Sequence, residues 1–188
     1  MKKVKVIISI VFCCAAFGLN AQNASDNKVS NKVFYTELGG PGVLFSANLD
    51  GRFNPESRLG LGYRIGLGFA VKFEEIKYYD ENNDWYWYDE KPASYGTIPI
   101  GMNYLFGKEY SPNIFEVGGG ITLLTKEVSL YNWDNRLSNS GHIIGHTTFM
   151  YRRQPVNGGF TFRAGFMTVI GTGGDFLPSA AVGFGYAF

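Results

Sequence analysis

From Leu59 to Glu74 the chain alternates without a break. Leu59, Leu61, Tyr63, Ile65, Leu67, Phe69, Val71 and Phe73 are interleaved with Gly60, Gly62, Arg64, Gly66, Gly68, Ala70, Lys72 and Glu74. Successive side chains of an extended chain point to opposite faces, so one face here is wholly apolar and the other is small or charged. Strands of soluble sheets commonly run about 5–6 residues, whereas a membrane-spanning strand needs about 9–11. This segment reads as a strand that crosses a bilayer and projects beyond it.

The same period returns along the chain. Val43, Phe45, Ala47, Leu49 and Phe53 alternate with Leu44, Ser46, Asn48, Asp50 and Arg52. Further apolar rows are Ile98–Phe106, Phe115–Leu123, Thr147–Tyr151, Phe160–Ile170 and Ala180–Phe188, each taken at every second position. No apolar run of about 18 residues, the length that marks a spanning helix, follows Ala21. Connections 54–58, 107–113 and 155–158 are short. Connections 76–93 and 127–145 are long and polar or aromatic, and 171–177 is a shorter member of that group. Tight turns at one end and longer loops at the other are the rhythm of an outer-membrane barrel. Seven segments reach back to Val43. Residues 33–39, reversing through Gly40-Pro41-Gly42, supply the eighth, the alternative being one bent strand over 33–53. The expected fold is all-β: a transmembrane, antiparallel, up-and-down barrel of eight strands.

Composition agrees. Only 18% of residues are charged, against about 25% in ordinary soluble domains, while 25 are glycine and 16% aromatic. The formal net charge of +1, with no basic block, argues against nucleic acid as a partner. The only cysteines are Cys13 and Cys14, which leaves no disulfide framework or cysteine-ligated metal in the body of the chain.

Residues 1–21 join a lysine-bearing start to a short apolar stretch and Ala21, the pattern of a secretory signal peptide. The apolar part is too short for the roughly 20 residues of a membrane anchor. Removing 1–21 takes three lysines and no acid, which turns the net charge from +1 to −2. Residues 22–32 are then a periplasmic segment and 33–188 the barrel.

The inward faces carry Glu37, Asp50, Arg52, Arg64, Glu116 and Arg163. An eight-stranded barrel is just wide enough for its side chains to fill, and charges in so narrow a lumen must pair. A polar plug is expected there; the rival is a narrow ion path through the same groups.

Phe188 ends the sequence, and Phe184, Tyr186 and Val182 share its face. This ending resembles the C-terminal signal that outer-membrane barrels present to the barrel assembly machinery. The chain after residue 21 resembles the small eight-stranded outer-membrane barrels, the OmpA-transmembrane and OmpX class. The resemblance implies the outer membrane of a Gram-negative cell, with outer-membrane lipids and the assembly machinery as partners. With no catalytic spacing in the chain, a structural or surface role without enzymatic activity or cofactor is expected. The class also contains lipid A-modifying enzymes, which use His with Ser, or His with Asp and Ser, near the outer rim. His142 and His146, with Asp134, Ser138 and Ser140, are the residues available for that chemistry, but no spacing supports a nucleophile–base pair.

Asp80-Glu81-Asn82-Asn83-Asp84 lacks the glycine and bidentate glutamate of a calcium loop, so no metal is expected. Gly118-Gly119-Gly120 lies in a strand and reads as room for close packing, not as a phosphate loop. The aromatic run is the least ordinary feature. Tyr79, Trp85, Tyr86, Trp87 and Tyr88 are interleaved with acids between residues 79 and 90. Tyr and Trp collect at bilayer interfaces, and they also anchor partners. A girdle is one reading; a surface for an extracellular protein or glycan is the other.

Overall fold

The structure, a computed structural model, describes residues 29–80, 85–131, 137–173 and 175–188; within these, only the backbone is described for 74–77, 79, 80, 85–88, 90, 129–131 and 137–140. The signal-peptide reading of 1–21 lies outside the described residues.

Eight strands form one closed, wholly antiparallel barrel in sequence order: β1 (Lys32–Leu38), β2 (Phe45–Arg52), β3 (Gly60–Asp80), β4 (Trp85–Gly107), β5 (Asn113–Tyr131), β6 (Leu137–Arg153), β7 (Gly159–Ile170) and β8 (Phe176–Ala187). β1 pairs with β2 on one side and β8 on the other, from Val33↔Ala187 to Leu38↔Val182, which closes the sheet. Residues 39–44 form a turn, so 33–53 is two strands. The eight-stranded expectation holds.

Two expectations of loop length are corrected. The 76–93 connection is mostly sheet, because β3 and β4 stay paired out to Asp80↔Trp85. Likewise β5 and β6 remain paired to Tyr131↔Leu137 within 127–145. Polarity does not distinguish a loop from a strand that continues, and an antiparallel ladder continues wherever its hydrogen bonds remain available.

The wall is therefore uneven. β3 to β6 run 17–23 residues and β1, β2, β7 and β8 only 7–12. Outward positions form an apolar exterior, with Leu67 68%, Phe73 68% and Phe166 72% exposed. Most inward side chains are buried. Aromatic rings cluster towards the turn end, where Phe106 stacks on Phe115, and Phe115 on Phe149. Glycine thins the inner layer where strands curve tightly. A Cβ on Gly120 would stand 2.2 Å from the Ile100 carbonyl, whereas one on outward Gly119 would meet only the His146 carbonyl at 3.4 Å.

Candidate functional site: the filled lumen

The lumen is filled in layers that begin at the turn end with Arg58. Its guanidinium is buried and donates from Nε to the Glu109 carbonyl (2.9 Å), from Nη1 to that of Gln154 (3.0 Å), and from Nη2 to those of Lys108 (3.2 Å), Glu109 (2.6 Å) and Ser111. The Gln154 amide donates in turn to the Ser30 carbonyl at 3.0 Å. One arginine thus ties three turns into a floor. Burial lowers its pKa, with Glu109 opposing, but an arginine starts too high to lose its charge at physiological pH.

Above the floor lies a charged layer. Arg52 pairs with Asp50 and donates to the Asn103 amide oxygen at 2.6 Å. Arg152 reaches Asp50 at 2.9 Å and Glu116 at 3.2 Å. Glu116 also pairs with Arg64 and with Arg163 at 2.9 Å, and Arg163 lies 3.5 Å from Glu37. Tyr35 stands among the cations: Arg163 donates to its hydroxyl, and the guanidinium carbons of Arg163, Arg64 and Arg152 lie 4.7, 5.9 and 5.9 Å from its ring centre. All of these side chains are buried. The structure brings Glu37, Asp50, Arg52, Arg64, Glu116 and Arg163 into one network, and adds Arg152, Asn103 and Tyr35.

The β1–β2 turn folds inward over this layer. Gly40, Pro41 and Gly42 are buried. Thr97 donates to the Gly42 carbonyl at 3.0 Å and Thr122 to that of Pro41 at 2.7 Å. Val43 leaves the turn with φ +74°, a left-handed conformation that is costly for a β-branched residue. It packs against a buried apolar cluster of Ala70, Tyr95, Leu124, Val128, Ile144, Met167 and Val169. The lumen's side chains therefore fall into two groups, charged towards the turn end and apolar towards the hairpin end. Side chains in the taller half need no polar face, because they pack on each other instead of lining water.

Of the rim candidates, only the two histidines have described side chains. His146 is buried, with Nδ1 3.3 Å from the Thr122 hydroxyl. His142 is exposed, with Nδ1 3.1 Å from the Leu124 carbonyl and Nε2 3.7 Å from Glu127. Asp134 lies outside the described residues, and Ser138 and Ser140 are described only as backbone of β6. Among the described residues no group of three or more His, Cys, Asp or Glu is placed to hold a metal. Of the aromatic run, the backbone puts Tyr79 opposite Tyr86 and Tyr78 opposite Trp87, with Trp85 and Tyr88 also in the β3–β4 ladder. The side chains of Tyr79, Trp85, Tyr86, Trp87 and Tyr88 lie outside the description.

No protein-family model matches the chain, and no curated protein sequence is similar to it. Among solved structures, it is similar to the N-terminal β-barrel domain of Pseudomonas aeruginosa OprF, with 12% identity over 86% of this chain and 98% of that one, at a TM-score of 0.48. It is also similar to the attachment invasion locus protein Ail of Yersinia pestis, solved with the heparin analogue sucrose octasulfate. That match has 10% identity over 87% of this chain and all of the other, at a TM-score of 0.45.

Proposed function

We propose that this protein is an integral barrel of the Gram-negative outer membrane, with a closed lumen and a structural or surface-interaction role, and without enzymatic activity. The observation that carries the reading is the inversion of the sheet's two faces. Large apolar side chains are exposed outward, while the buried interior holds paired charges. In water this would expose far more apolar surface than a soluble monomer tolerates. In a bilayer it is what a spanning sheet requires, since closure alone pairs every backbone group in hydrocarbon.

Ion pairs that bridge the wall and an apolar cluster above them support a closed lumen over a channel. The partners of the reading are outer-membrane lipids and the assembly machinery, with Phe184, Tyr186 and Phe188 as the assembly signal. An extracellular protein or glycan would meet the aromatic, acidic tip of the β3–β4 hairpin. Planar-bilayer recording tests the closed lumen. Inserted barrels should give no steady single-channel current, and large, steady current steps would make the lumen a channel.

A further inference from the structure

β4 carries Pro99 in mid-strand. Proline has no N–H to give a neighbouring strand, and within a sheet it marks an interruption. The β3–β4 ladder is interrupted there: pairing runs to Ile65↔Ile100 and resumes at Gly68↔Thr97, with no pair between them. At the same height the exterior is dented. A groove of about 390 Å³ lies between Phe34, Ala47, Leu49, Ile65, Leu67 and Ile98, with Gly66 also at its wall. Ala47 accounts for much of the dent, since its outward neighbours in register are Thr36 on β1 and the large Leu67 on β3.

We propose that this groove seats one acyl chain of a membrane lipid. The inference rests on the membrane-spanning reading above. The lining is almost entirely apolar, so nothing in it would hold a phosphate, a sugar or a peptide backbone. Its edges are outward members of the apolar belt, with Phe34, Leu49, Ile65 and Leu67 all exposed, so the groove opens directly onto the surface that meets lipid. A dent left empty in hydrocarbon forfeits the dispersion contacts of its walls. A flexible chain can enter it and restore them. The site therefore selects for the chain and not for the headgroup.

The full barrel is reconstituted in phospholipid vesicles containing a phospholipid with a photoreactive diazirine in mid-chain, and adducts are mapped by peptide mass spectrometry. Adducts should be enriched several-fold at Leu49, Ile65, Leu67 and Ile98 over the outward control positions Val117, Ile121 and Phe166. Ala47→Phe, which fills the dent from the outside, should abolish the enrichment while the barrel still forms. Equal labelling of groove and control positions would overturn the site and leave the membrane reading standing. No labelling anywhere on the exterior would overturn both. Depletion of lipid adducts at the groove positions below the control positions would overturn the lipid assignment, since the groove would then be covered by protein.

Discussion

Arg152 on β6 stands 2.9 Å from Asp50 on β2, and in a closed ring of eight strands β2 and β6 face each other across the lumen. The middle of the barrel is bridged wall to wall. Glu116 is the other anchor of this bridge, because Arg64, Arg152 and Arg163 all converge on its carboxylate.

Replacing Glu116 with leucine should accordingly destabilise the barrel by about 3–5 kcal/mol, the usual result of leaving buried cations without their partner. Urea unfolding in detergent micelles measures it. A loss below about 1 kcal/mol would mean that the arginines are compensated by water and not by Glu116.

Arg58→Ala should cost about 2–3 kcal/mol, because hydrogen bonds from a charged donor to the carbonyls of 108, 109, 111 and 154 are lost together. Arg58→Lys should recover only part of the loss. An ammonium cannot reproduce the planar fork that reaches several carbonyls at once. Equal stability of the lysine and arginine forms would show that charge alone holds the floor.

Adjacent glycines should respond in opposite ways. Gly120→Ala drives a methyl into the backbone of β4, 2.2 Å from the Ile100 carbonyl and 2.5 Å from Gly101 Cα, and should destabilise by about 1–3 kcal/mol. Gly119→Ala faces outward with room, and should be neutral or stabilising by about 0.4–1 kcal/mol. The same unfolding assay compares them, and a reversed order would contradict the inward and outward assignment of β5.

Much of this architecture was legible in the alternation. The period of two placed Leu61, Ile65 and Phe69 outside and Arg64 inside, and the closed ring follows from pairing such strands in order. Arg152 could have been found by the same signal, since it shares the inward row of His146, Thr148 and Met150. Arg58 could not. It sits in a turn before the alternation begins, and its partners lie about fifty and a hundred residues away, brought together only by closure. The inward fold of Gly40-Pro41-Gly42 was hidden for a similar reason: the residues announce a reversal but not its direction. The apolar half of the plug was obscured because Leu124, Met167 and Val169 make both faces of their strands apolar, which erases the contrast that reveals a lumen.

Replacing Phe188 separates the packing of its side chain from the proposed role in assembly. Its backbone exchanges hydrogen bonds with Lys32 at 2.9 and 3.1 Å, which any residue could do, and its side chain is 46% exposed. Phe188→Ala should therefore refold in detergent almost as the parent does, while cells should contain much less inserted protein. Equal loss in both settings would make the side chain merely structural.

The central claim, a barrel that spans the outer membrane with its tall hairpins outside, is tested most directly by an impermeant thiol reagent on intact expressing cells. Cysteine is placed singly at exposed Lys91 on the β3–β4 hairpin or at exposed Tyr110 in the β4–β5 turn, with Cys13 and Cys14 replaced by alanine. The account predicts labelling at 91, and at 110 only after the outer membrane is broken. Labelling of intact cells at 110 but not at 91 would contradict it.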